Sequence, residues 1–211
     1  MMHTRLASIT RAAFFAAILT LILVVNGCSI GPPAREAVVN YDLGPQRAYA
    51  QANPGIKATL MVSAVTAPAW LDSNGIVYRL AYQDAARPQI YAQSRWVDSP
   101  AALLTQRLRS RFAAAGPVVG GRDGARADYA LQVEIEDFSQ TFEAPDRSKA
   151  TIRIRVTLVN LSSRNLQAQR TFSVEQPAAP DADGAARALA QAADAVIESL
   201  LVWATQNLKA G

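Results

Sequence analysis

The chain of 211 residues contains one histidine, His3, and one cysteine, Cys28. Ser-His-Asp and Cys-His catalysis both need an imidazole to carry the proton. The usual zinc and copper centres need imidazole or thiolate ligands. No loop has the Asp/Asn/Gly spacing of an EF-hand, and neither a G-x-x-x-x-G-K-S/T phosphate loop nor a G-x-S-x-G elbow occurs. The glycine-rich stretch Gly120-Gly121-Arg122-Asp123-Gly124 reads as a turn or connector rather than a phosphate cradle. There is no internal repeat. These gaps direct attention from chemistry to placement and binding.

What is present begins at the N-terminus. Met1 to Arg11 carries Arg5 and Arg11 and no acid, and Ala12 to Val25 is apolar apart from Thr20. A bilayer-spanning helix needs about 20 apolar residues, and this run is shorter. A basic start, a short apolar stretch and small residues at its end instead make a secretory signal over residues 1–27. Val25-Asn26-Gly27-Cys28 resembles a lipobox, the recognition site of bacterial lipoprotein maturation. Asn26 departs from it, standing where a small residue is usual. Ordinary signal cleavage beside a free thiol is the alternative. A lone thiol in an oxidising compartment would be a liability, and thioether lipidation of Cys28 removes it. In that resemblance Ser29, standing where an Asp would imply inner-membrane retention, points to the outer membrane. Residues 28–38, with Gly31, Pro32 and Pro33, read as a lipidated tether.

Cleavage would also remove His3, leaving no histidine in the mature chain. The sequence pI of 9.5 suggests a nucleic-acid binder, but Arg5 and Arg11 leave with the signal. That takes Lys+Arg from 21 to 19 against 17 Asp+Glu, a net charge of about +2. A surface so balanced lacks the electrostatic footprint of a DNA-binding protein. The remaining 184 residues suffice for one domain, residues 39–211, with a substantial core.

Along that domain, Val38–Leu43 reads as a first strand stopped by Gly44-Pro45. Ala58–Val65 is a continuous apolar run, as in a strand buried on both faces. Asp72-Ser73-Asn74-Gly75 is a turn. Ile76–Tyr82 and Gln89–Trp96 read as the arms of a β-hairpin. Ser99-Pro100 opens a helix in which Leu104, Leu108, Phe112 and Ala115 share a face and Arg107, Arg109 and Arg111 lie off it. Gly116-Pro117 stops it.

Asp128–Phe142 and Lys149–Asn160 alternate with period two. Antiparallel pairing about Ala144-Pro145 sets Ile135 opposite Ile154 and Val133 opposite Val156. It also sets Glu134 opposite Arg155 and Glu136 opposite Arg153, so the apolar and charged pairs agree on one register. Gln167–Gln176 is a further strand. A last helix begins near Asp181 or Asp183, with Leu189, Ala193, Val196, Leu200 and Trp203 as its apolar stripe.

The order and spacing of several short motifs resemble the ABC-type transport auxiliary lipoprotein component family (the PqiC/YmbA-like lipoproteins). They are the lipobox; Tyr41-Asp42-Leu43; Pro68, Leu71-Asp72 and Ile76-Val77-Tyr78-Arg79; Arg95-Trp96; and Ser99-Pro100 with the Leu103-Leu104 to Leu108 helix. The resemblance implies a three-layer α/β domain with a mixed β-sheet, like the N-terminal domain of TolB. It implies no enzyme activity and no cofactor. It also implies partners: a periplasmic MCE-domain protein and its inner-membrane ABC transporter, which move phospholipids or other hydrophobic molecules between the two membranes. Further copies of the chain are a possible partner too.

On this reading the lipoprotein is the docking or receiving subunit. Its candidate contacts are the 83–88 and 143–148 loops, with Arg87, Asp146 and Arg147, and the aromatics Trp70 and Trp96, for each of which core packing is the alternative. Two other functions compete. A lipoprotein that itself holds an acyl chain needs an apolar pocket between sheet and helices. An envelope hydrolase would have to pair carboxylates from among Asp98, Asp123, Asp128 and Asp137, none of which a motif singles out.

Overall fold

Residues 37–46, 55–121 and 123–208 are described in a computed structural model. Cys28 and the segments expected to be a signal and a tether, up to residue 36, lie outside them. Among the described residues eight strands form one sheet: β1 (Val39–Tyr41), β2 (Leu60–Val62), β3 (Gly75–Leu80), β4 (Pro88–Trp96), β5 (Val118–Val119), β6 (Tyr129–Ala144), β7 (Arg147–Asn160) and β8 (Leu166–Ala178). Among the described residues three helices accompany it: α1 (Ala81–Asp84), α2 (Pro100–Ala113) and α3 (Ala182–Asn207). The sheet is mixed and open, and the class is α/β, as expected.

The sheet is organised on β6. One edge of β6 pairs antiparallel with β7 along its length, and β7 pairs antiparallel with β8. The other edge is shared by two parallel partners: β2 beside Tyr129–Leu131 and β3 beside Gln140–Phe142. The expected register holds from Tyr129 to Ile135, with Val133 opposite Val156, Glu134 opposite Arg155 and Ile135 opposite Ile154.

A bulge then intervenes at Glu136, and Asp137 rather than Glu136 stands opposite Arg153. Its cause is legible in the side chains. Tyr129, Leu131, Val133 and Ile135 face the core at odd positions, whereas Phe138, Gln140 and Phe142 are buried at even ones. One extra residue in the strand exchanges the parity and keeps both sets on the core side. Glu136 turns to Arg155, which pairs with both Glu136 (3.1 Å) and Glu134 (3.5 Å).

Three other expectations shift. The run Ala58–Val65 forms a strand only over Leu60–Val62. Beyond it the chain follows β6 irregularly, with Thr66 N–H donating to Val133 O (3.0 Å) and Ile135 N–H to Thr66 O (2.8 Å). The β3–β4 hairpin forms, with Val77 opposite Ile90, but β3 stops at Leu80 and residues 81–84 make a helical turn. β1 is shorter than Val38–Leu43 and runs parallel to β4, Tyr41 beside Trp96.

Both long helices start as expected. Ala102 N–H donates to Ser99 Oγ (3.3 Å) at the start of α2, and Gly184 N–H to Asp181 Oδ1 (2.6 Å) at the start of α3. Gly116, where the α2 segment ends, is fixed by close approach: a Cβ there would overlap the Ile56 carbonyl. Leu104, Leu108 and Phe112 of α2 and Leu189, Ala193, Val196 and Leu200 of α3 are almost wholly buried. Arg107 and Arg111, off the α2 stripe, are buried too, each only 5% exposed. The second helix covers them: Arg107 Nη1 donates to Asp194 Oδ1 (2.6 Å), and Arg111 donates to both carboxylate oxygens of Glu198. Since α2 and α3 touch through these pairs, they lie side by side on the same face of the sheet. Arg155, Glu134 and Glu136 lie on the other face.

Candidate partner interface at one end of the sheet

Parallel pairing of β3 with β6 sets Leu80 beside Phe142. The 81–88 connection after β3 and the β6–β7 turn therefore emerge at the same end of the sheet. That turn is tight, with Ala144 and Arg147 facing each other across Pro145-Asp146, one step beyond the expected centre. Ser148 stands opposite Ala178, so the β8–α3 connection reaches this end as well.

Arg87, Asp146 and Arg147, candidate contacts 60 residues apart in sequence, thus share one end and are all exposed. Trp70 lies near by. Arg79, opposite Pro88 and beside Thr141, stacks its guanidinium 4.8 Å from the Trp70 ring centroid, and Trp70 is 37% exposed. Trp96 is a correction. It is 1% exposed and packs edge-to-face on Phe138 at 5.7 Å, so it belongs to the core and offers no surface to a partner.

The turn carries a charge network. Glu143 accepts from Arg147 Nε (3.2 Å) and pairs with Lys149 Nζ (3.3 Å), which also meets Glu175 (3.0 Å). The hydrogen bond from Lys149, with its charge, holds the Glu143 carboxyl below the usual glutamate range. The hydrogen bonds to Glu175 and Glu143 push the Lys149 ammonium up.

Beneath the loops is a buried polar node that periodicity did not reveal. Gln140, fully buried, accepts at Oε1 from Tyr91 OH (2.6 Å) and donates from Nε2 to Ser148 Oγ (2.7 Å) and Ala179 O (2.8 Å). One side chain thereby ties β4, β7 and the β8–α3 connection to β6. Burial, with Tyr78 stacked at 4.5 Å and Asp181 near by, keeps the Tyr91 phenol protonated well above its ordinary range. The signal in the sequence was the phase shift after Ile135, which puts Gln140 on the core side.

The carboxylates considered for acid–base work are not brought together into a shared site; each serves its own surroundings. Asp98 accepts from Ser99 N–H, Asp123 from Gly120 N–H, Asp128 from Thr59 N–H and Asp137 from Ser139 Oγ. Among the described residues no group of three His, Cys, Asp or Glu side chains could hold a metal ion. The layer between sheet and helices is filled by side chains such as Leu131, Ile152, Ile154, Leu189 and Leu200, all at most 1% exposed. A surface groove of about 310 Å³ runs between β1 and α3, lined by Tyr41, Leu43, Val97, Ala186 and Ala190.

Residues 41–200 match the family model for the ABC-type transport auxiliary lipoprotein component. No curated protein matches the chain. Among solved structures, a Xanthomonas campestris protein of the DUF330 family superposes with a TM-score of 0.67 at 23% identity, covering 81% of this chain and 94% of that one. An uncharacterized protein superposes at 0.60 with 19% identity, covering 80% and 99%. A hypothetical protein of Chlamydia trachomatis does so at 0.54 with 8% identity, covering 74% and 99%. At these identities the likeness is one of fold.

Proposed function

The chain belongs to the ABC-type transport auxiliary lipoprotein component family, and from that premise we propose that it is the outer-membrane, docking or receiving subunit of an MCE-type ABC transport system for phospholipids or other hydrophobic molecules. It works by binding rather than by chemistry. The family is one of transport auxiliary lipoproteins and not a known enzyme family. Cys28, lipidated, holds the domain at the inner leaflet of the outer membrane. With three acyl chains, at about 0.8 kcal/mol per buried methylene, that anchor is effectively permanent.

The observation that carries the partner site is the convergence of the 81–88 connection and the Pro145-Asp146 turn at one end of the sheet. Both are surface loops on rigid strands, where binding residues concentrate. Arg87, Asp146 and Arg147 are the proposed contacts with the periplasmic MCE-domain protein. The test is co-purification of that protein with the lipidated chain. The double replacement Arg87→Glu/Arg147→Glu is expected to lose it while the thermal transition falls by no more than about 4 °C, the size of the exposed Arg147–Glu143 pair that is given up. Undiminished co-purification removes this end from consideration.

A further inference from the structure

The outer face of the β3–β4 hairpin, the face away from α2 and α3, combines aromatic, aliphatic and basic groups. Arg79 stands opposite Pro88 and Val77 opposite Ile90, so these side chains share a face. Arg95 stands opposite Gly75 across an irregular stretch of β4, and a Cβ on Gly75 would touch the Ile90 side chain, which puts Arg95 and Ile90 on that face too. Trp70 lies over Arg79. Ile90 is 56% and Trp70 37% exposed. Neither Arg79 nor Arg95 has an ion pair among the described residues.

The domain begins at the edge of the sheet next to this hairpin. β4 is the neighbour of β1, and β1 begins one residue after Val38. Ten residue steps separate Cys28 from Val38, which span at most about 35 Å fully extended. Across the sheet the hairpin is the element next to β1, nearer the start of the domain than the far edge at β8. Tryptophan beside aliphatic and unneutralised arginine side chains is the composition that settles at a lipid headgroup layer.

We propose that this hairpin face, with Trp70, Arg79, Ile90 and Arg95, rests on an anionic phospholipid surface, fixing the orientation of the domain. The proposal rests on the lipid-anchored reading of Cys28. It leaves Arg87, Asp146 and Arg147 to the protein partner and assigns Trp70 to the membrane.

Trp96 and Trp203 are buried, at 1% and 7% exposed, so Trp70 is the tryptophan open to a lipid quencher. The lipidated chain is reconstituted into phosphatidylethanolamine vesicles carrying brominated acyl chains, with and without phosphatidylglycerol, and tryptophan emission is read. The expected result is loss of most of the Trp70 component when phosphatidylglycerol is present. That loss should be absent in Trp70→Phe and reduced in Arg79→Gln/Arg95→Gln, whose circular dichroism checks the fold. Vesicle-bound, acylated protein whose emission is unquenched, or quenched equally in Trp70→Phe, overturns the proposal and leaves the anchor standing. Mass spectrometry finding no acyl group on Cys28 overturns the anchor and the proposal together.

Discussion

Arg107 and Asp194, 87 residues apart in sequence, meet at 2.6 Å in the interior, their side chains 6% and 9% exposed. Arg107 also donates to the carbonyl of Leu43 (2.6 Å) and to that of Gly44. One guanidinium thus joins α2, α3 and the segment leaving β1. Removing one member of a buried pair strands the other charge, at a cost of about 3–5 kcal/mol. Asp194→Ala is expected to lower Tm by roughly 10 °C. Replacing both, Arg107→Met with Asp194→Leu, should recover part of that loss. Calorimetry of the soluble domain reads both, and equal losses in the single and double variants would show that the cost is packing rather than stranded charge.

The bulge in β6 makes a second expectation. Deleting Glu136 leaves Ile135 and Phe138 two positions apart, both on the core side, and puts Asp137 opposite Arg153 in an unbroken ladder. The deletion is expected to fold. It should lose at most about 1 kcal/mol from the exposed Arg155–Glu136 pair, together with whatever twist the bulge supplies. Deleting Gln132 instead inverts Tyr129 and Leu131 relative to the core and should not fold. Urea unfolding of both variants checks this, and an unfolded Glu136 deletion contradicts the parity argument.

These two features mark how far the sequence could be read. The β6–β7 register was legible because apolar and charged pairs demanded the same alignment. The bulge was not, because Glu136-Asp137 fits a straight strand locally and only the phase of Phe138, Gln140 and Phe142 reveals the slip. Arg107 and Arg111 matched Asp194 and Glu198 in i, i+4 spacing, yet nothing local says that two helices so distant in sequence are neighbours. The parallel pairs β1–β4 and β3–β6 are equally non-local, and the second of them gathers the candidate contact loops at one end. Trp96 and Trp70 looked alike as aromatics and were separated by the fold: Phe138 covers one, and the other stays at the surface under Arg79.

Glu143 and Lys149 give a pH expectation. The folded Glu143 carboxyl lies below its ordinary value because Lys149 donates to its charged form. Its contribution is therefore present above the unfolded value and is lost as pH falls through the folded one. The pair is exposed and the effect on stability small, so the direct readout is the carboxyl chemical shift. In a titration followed by nuclear magnetic resonance, Lys149→Ala should move the Glu143 midpoint upward, whereas Arg147→Ala should move it less. No upward shift in Lys149→Ala would contradict the geometry of the turn.

The central claim is that the loop end of the sheet meets a periplasmic MCE-domain protein. Its most direct test is site-specific photo-crosslinking in intact cells from a probe placed at Asp146, with a control probe at Leu166, at the opposite end of β8 and 61% exposed. A crosslink to the MCE-domain protein is expected from Asp146 and none from Leu166. A correctly acylated, envelope-localised protein that crosslinks to it from Leu166 but not from Asp146, or from neither position, would rule out the loop end as the partner interface.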